Sequence, residues 1–138
     1  MVSEIKPRIL VVDDDEELRE MIRNFLAYRG CFVETACDGL DGCEALKRNT
    51  FDMVITDIYM PRMNGLELLE TIEHKYADLL TVAMTGFPNE DITKRVREKG
   101  TCEFLVKPFT LQQLLSAITK CFEQSEAHKP LSKILSNN

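Results

Sequence analysis

Asp13, Asp14, Asp15, Asp57, Thr85 and Lys107 are the residues of this 138-residue chain with the clearest capacity for chemistry. They stand directly after short apolar runs of strand length: Arg8 to Val12, Phe51 to Thr56, Leu79 to Met84 and Cys102 to Val106. Carboxylates gathered in one place repel one another, so they either hold protons or recruit a cation. Oxygen-only ligands with two or three carboxylates suit Mg²⁺, which keeps several waters and accepts phosphate oxygens. A nearby hydroxyl and ammonium can donate to phosphate oxygens as charge develops on them. A carboxylate so placed can also attack phosphorus and form an acyl phosphate. The residue types together point to Mg²⁺-dependent phosphoryl chemistry on an aspartate.

These side chains share a site only if the strand ends meet. Between the apolar runs lie segments with helical periodicity. Glu16 to Tyr28 places Leu18, Met21, Ile22, Phe25 and Leu26 on one face and stops at Gly30. Phe32 to Ala36 reads as a second, more polar strand, which suits a sheet edge. Leu40 to Lys47 and Asn64 to Lys75 read as helices, the latter with Leu66, Leu69 and Ile72 inward. Asn89 to Lys99 has only Ile92 and Val96 as anchors, whereas Thr110 to Phe122 has Leu111, Leu114, Leu115, Ile118 and Phe122. The alternation predicts an α/β fold, (βα)5, a doubly wound five-stranded parallel sheet with helices on both faces. In such open sheets ligands sit beyond the carboxyl ends of the strands, where the acids, Thr85 and Lys107 fall.

Composition narrows the function further. Apolar residues are 44% and charged residues 29%, which argues against both a disordered and a membrane-embedded chain. A net charge of −6 gains nothing from a phosphate backbone, so direct nucleic-acid binding is not expected. Ile9 to Val12 is too short for a signal core or a membrane span, and acids follow it at once. The five cysteines include no C-x-x-C and read as buried free thiols in a reducing, cytoplasmic setting. After Phe122 the chain turns polar, with Pro130 as a breaker. Residues 124–138 read as a tail or linker behind a domain spanning 1–123.

Four motifs, in order, carry a family resemblance. Val11-Val12-Asp13-Asp14-Asp15, Thr56-Asp57-Ile58-Tyr59-Met60-Pro61-Arg62-Met63-Asn64-Gly65, Met84-Thr85-Gly86 and Phe104-Leu105-Val106-Lys107-Pro108-Phe109 resemble the receiver domain of bacterial two-component response regulators. The resemblance implies a flavodoxin-like sheet of order 2-1-3-4-5. It implies that Asp57 accepts a phosphoryl group from a sensor histidine kinase or phosphotransfer protein. Mg²⁺ would be held by Asp13, Asp14, Asp57 and the backbone carbonyl of Tyr59, with Asp14 closer than Asp13. Thr85 would bond the phosphoryl group and Lys107 pair with it, while Gly86 leaves it room to enter. Thr85 and Phe104 would form a conformational switch that remodels the fourth helix, fifth strand and fifth helix. A cis Lys107–Pro108 bond is also implied. The chain would be a phosphoacceptor switch that assists its own phosphorylation and dephosphorylation, not an enzyme in the usual sense. Its output would lie in a downstream effector or a separate output domain, and a dimer through the last two helices is compatible with it.

An enzymatic alternative uses the same residue types. Asp13-x-Asp15 after a strand resembles the nucleophile motif of haloacid-dehalogenase-type phosphatases, with Thr85 and Lys107 as later motifs. Against it, the chain is short for that family and no acidic pair follows Lys107. Tyr59 and Phe87, each two residues past a site residue, are bulky aromatics at positions that tune phosphoryl lifetime in the family the chain resembles. They are expected to shield an acyl phosphate from water. Met60, Pro61 and Met63 read as packing and turn residues, and His74 and His128 as exposed side chains without chemistry.

Overall fold

The computed structural model describes residues 5–136. Five parallel strands are joined by helices: β1 (Arg8–Val12), α1 (Glu16–Tyr28), β2 (Phe32–Ala36), α2 (Gly39–Arg48), β3 (Met53–Asp57), α3 (Gly65–Lys75), β4 (Leu80–Thr85), α4 (Glu90–Glu98), β5 (Glu103–Val106) and α5 (Leu111–Gln124). The sheet order is β2-β1-β3-β4-β5. The expected doubly wound α/β architecture is therefore the observed one. β1 and β3 are fully buried over nearly their whole length, as continuous Val/Ile/Leu/Met runs covered on both faces must be.

The helices begin where side chains can satisfy their free N–H groups. Asp15, Asp38, Asn64, Asn89 and Thr110 cap α1 to α5 in turn. Asn64–Glu67 and Thr110–Gln113 form reciprocal capping boxes. One side of the sheet packs Ile9, Val11, Ile55, Val82 and Met84 against α1 and α5. The other packs Leu10, Val12 and Val54 against α2 and α3. Ile92 and Val96 are the only buried residues of α4, in agreement with its sparse apolar anchoring.

Three details differ from the sequence reading. Met21 is 51% exposed, because Ile22 and Leu26 already fill the inner stripe of α1. The polar stretch after Phe122 does not run off as a tail. It forms α6 (Lys129–Ser136), whose Leu131 and Leu135 join the core beside α1 and α5. Pro130 lies in the first turn of α6, where its missing N–H costs nothing, so it starts this helix and does not break one. His128 is half-buried at the α5–α6 junction, stacked on Phe122 and bonded through Nδ1 to Ser125 Oγ at 2.7 Å.

The cysteines also depart from a uniform set of buried thiols. Cys102 and Cys121 form a disulfide, because β5 starts against the inner face of α5 with the two Cα atoms 5.9 Å apart. Cys31 is buried and free, Cys43 is half-buried and Cys37 is exposed. Burial pushes the Cys31 thiol up to about 12 and Asp52 adds to the effect, so it stays protonated and unreactive.

Candidate functional site

The parallel register brings the carboxyl ends of β1, β3, β4 and β5 to one edge. Val12 pairs with Thr56, Asp57 with Met84, and Thr85 with Val106. Asp13, Asp57, Thr85 and Lys107 thus follow from strand alignment, though they lie up to 94 residues apart. Backbone bonds hold the rim together: Asp13 N–H donates to Ala36 O at 3.1 Å, Ile58 N–H to Met84 O at 3.0 Å, and Lys107 N–H to Thr85 O at 2.8 Å.

Asp13 is completely buried, Asp57 nearly so, and Asp14 faces solvent. One carboxylate oxygen from each of the three lies within 4.8 Å of the others. That spacing places three hard oxygen donors around one small volume, as a divalent cation requires. Lys107 Nζ reaches Asp13 Oδ2 at 2.7 Å and Asp57 Oδ1 at 3.4 Å. The Lys107 charge therefore already spans both buried acids. Asp13 Oδ1 accepts the Asp15 N–H at 2.9 Å, so both oxygens of Asp13 are engaged.

Electrostatics mark Asp57. Burial first, and the Asp13 charge second, push its carboxyl up to about 6, while Lys107 pulls the other way. Burial alone would lower the Lys107 pKa, but its bond and charge contact with Asp13, and then Asp57, leave it raised. Thr85 is fully buried and its hydroxyl accepts the Phe87 N–H at 3.1 Å. Gly65 is needed for closeness, since a Cβ there would lie 2.1 Å from the Asp57 carbonyl oxygen. No such demand exists at Gly86, where a Cβ would meet only Lys107 Cβ at 3.9 Å.

The remaining expected residues fall around this centre. The Lys107–Pro108 peptide is cis. Phe104 is half-buried against the group formed by Ile58, Leu66, Leu69, Ala83, Ile92 and Val96, between β5 and α4. Tyr59 and Phe87 are exposed and meet edge to face, with ring centroids 6.1 Å apart. Met60 packs on the α2–α3 side of the sheet, and Met63 approaches Cys43 with the sulfurs 3.8 Å apart. His74 is exposed. The sequence reading gave no role to Asp38 and quoted Arg62 only within a motif, yet the two are joined by a two-bonded ion pair between the β2–α2 connection and the loop after β3. Asp38-Gly39, one residue beyond the end of the second strand, was the available signal for Asp38.

Fold and site together define a protein with an acidic, lysine-bridged pocket at the switch edge of a flavodoxin-like sheet. The model of the response regulator receiver domain matches residues 9–119. The chain belongs to that family, the receiver domains of two-component systems. It is 37% identical over 111 residues to the response regulator MprA of Mycobacterium sp. (strain KMS), covering 79% of this chain and 47% of that protein. The chain thus spans about half the length of the curated relatives it matches first. The chemotaxis response regulator CheY4 of Vibrio cholerae superposes with a TM-score of 0.80 at 28% identity, covering 85% of this chain and 99% of that one. The response regulator TrrA of Thermotoga maritima, solved in complex with Mg(2+)-BeF, gives 0.75 at 30% identity over 83% of this chain and 98% of that one.

Proposed function

We propose that this domain is a phosphorylation-activated switch in which Asp57 takes a phosphoryl group from a phosphohistidine on a partner kinase or phosphotransfer protein. The observation that carries this reading is the Asp57 carboxylate, buried beside Lys107 Nζ at 3.4 Å and grouped with Asp13 and Asp14. An Asp57 oxygen attacks phosphorus, the P–N bond of the donor breaks, and the donor imidazole leaves and regains its proton from solvent. A Mg²⁺ held by Asp13, Asp14, Asp57 and the Tyr59 carbonyl would neutralise the oxygens of the transferring group. The oxygen-only donor set and its spacing fit that ion. Lys107, already between the two buried acids, needs only a small movement to pair with a phosphoryl oxygen. Thr85 exchanges the Phe87 N–H for a bond to the same group, and the vacancy it leaves draws Phe104 inward. The lightly anchored α4 then moves with β5 and α5, which supports a change in partner binding or dimerisation on that face.

Such a domain acts in the cytoplasm, and its output lies in another protein or another domain. No helix among the described residues is long and apolar enough to cross a membrane.

Intact-mass measurement after incubation with acetyl phosphate tests the reading. A single phosphoryl adduct is expected that requires Mg²⁺ and is absent from Asp57→Asn. An adduct that persists in Asp57→Asn and maps to Asp13 would overturn it in favour of a phosphatase-type site.

The Tyr59–Phe87 ring pair bridges the loops after β3 and β4, the loops that follow Asp57 and Thr85. There it hinders in-line approach of water to a phosphorylated Asp57. The double variant Tyr59→Asn, Phe87→Glu is expected to lose its phosphoryl group measurably faster than the native chain, because removing the rings lets water reach an aligned position. A decay rate equal to that of the native chain would assign the rings to partner contact alone.

A further inference from the structure

Asp38 lies buried where the connection from β2 to α2 meets the loop after β3. Its side chain caps α2, with Oδ1 accepting the Asp41 N–H at 2.9 Å. The same carboxylate receives two guanidinium bonds from Arg62, Nε to Oδ2 at 2.6 Å and Nη2 to Oδ1 at 3.1 Å. Those bonds hold the Asp38 carboxyl below its ordinary range. Alongside, Gly39 N–H donates to Met63 O at 2.9 Å. A Cβ on Gly39 would lie only 2.4 Å from that oxygen, so the loop is pressed directly onto the start of α2.

The loop is thus fixed at two places. Gly65 N–H donates to Ile58 O at 2.8 Å and closes its base, while Arg62 and Met63 pin its outer limb. Tyr59, Met60 and Pro61 lie between the two. Arg62 has φ of 64°, a left-handed conformation that suits Gly or Asn and is strained for a residue with a long side chain. Local preference does not place Arg62 there. A two-bonded ion pair to a buried partner 24 residues away does. Backbone strain maintained in this way gathers where loop geometry serves a site.

We propose that the Arg62–Asp38 ion pair is a positioning device for the metal site, setting the Tyr59 carbonyl and through it the affinity for Mg²⁺. Neither side chain touches the ion or the reacting atoms. The inference rests on the receiver reading of the acidic pocket.

Calorimetric titration with MgCl₂ alone, with melting of the metal-free proteins in parallel, tests it. Arg62→Gly and Arg62→Asn remove the ion pair while accepting the left-handed backbone, so a fall in their metal-free melting reports the unpaired Asp38 and not backbone strain, and Mg²⁺ affinity is read at a temperature where each variant is folded. Both are expected to bind Mg²⁺ about tenfold more weakly, the low end of what groups behind a metal's direct ligands contribute. Arg62→Lys keeps a charge on Asp38 and recovers part of the loss, which a purely structural role would not produce. Native affinity in either the Gly or the Asn variant overturns the proposal and leaves the pocket reading intact. Absence of Mg²⁺ binding by the native chain overturns the pocket reading and this inference with it.

Discussion

Lys107→Met is expected to destabilise the metal-free protein by about 3–5 kcal/mol, the usual consequence of stripping a buried charge of its partner. Asp13 is wholly buried with Lys107 Nζ at 2.7 Å, and Asp57 shares the same ammonium. Removing it leaves two carboxylates facing one another with little access to water. For a domain of this size the melting temperature should fall by roughly 10 °C or more. The loss should be specific to neutral pH. Asp57 already titrates near 6 in the fold against an ordinary 3.8, and without Lys107 it rises further. A raised folded pKa means that the folded state holds a proton the unfolded state releases. Its stabilising contribution is complete below about 4 and disappears as pH climbs through 6 and beyond. Melting of the variant should therefore be higher at pH 5 than at pH 7.5. Saturating Mg²⁺ should restore much of the loss at pH 7.5, because binding to the folded state alone stabilises by mass action. A variant that melts like the native chain in metal-free buffer would show that the lysine is not what holds the acids together.

The second large effect lies away from the chemistry. Leu135→Ala is expected to cost about 2–5 kcal/mol, the range for emptying a closed core position. Leu135 is fully buried in α6, its carbonyl accepts from Arg29 Nη1 at 3.0 Å, and Leu131 packs in the same layer. A dispensable tail would leave urea or thermal unfolding unchanged on the same substitution, so equilibrium unfolding of this one variant decides whether α6 belongs to the domain.

That helix also shows where sequence reading stops. The bounds of β1, α1 and β2 were legible because their apolar runs and stop signals are strong: Ile9 to Val12, Gly30, and a polar second strand. The site was legible because parallel alternation alone requires the strand ends to share an edge, so Asp13, Asp57, Thr85 and Lys107 could be grouped without coordinates. α6 was hidden by Pro130 and by flanking Lys and Ser. Its Leu131, Ile134 and Leu135 do have helical spacing, but a stripe that short is persuasive only when a core is known to await it. The Cys102–Cys121 and Asp38–Arg62 pairs were hidden for another reason. Each joins segments that only the folded topology brings together, and neither has a local spacing rule. Met21 failed because periodicity defines a stripe but not its width.

The place of β5 has a consequence for the timing of competence during synthesis. Asp13 and Lys107 are separated by 94 residues, and β5 is the last strand in the chain and lies at the edge of the sheet. Translation at about 5–20 residues per second puts roughly 5–20 s between the appearance of the first acid and that of its counter-charge. Until β5 docks, a nascent chain would present Asp13 and Asp57 without the ammonium that balances them. The docking of β5 therefore completes the sheet and brings the Lys107 ammonium to Asp13 and Asp57 in the same event.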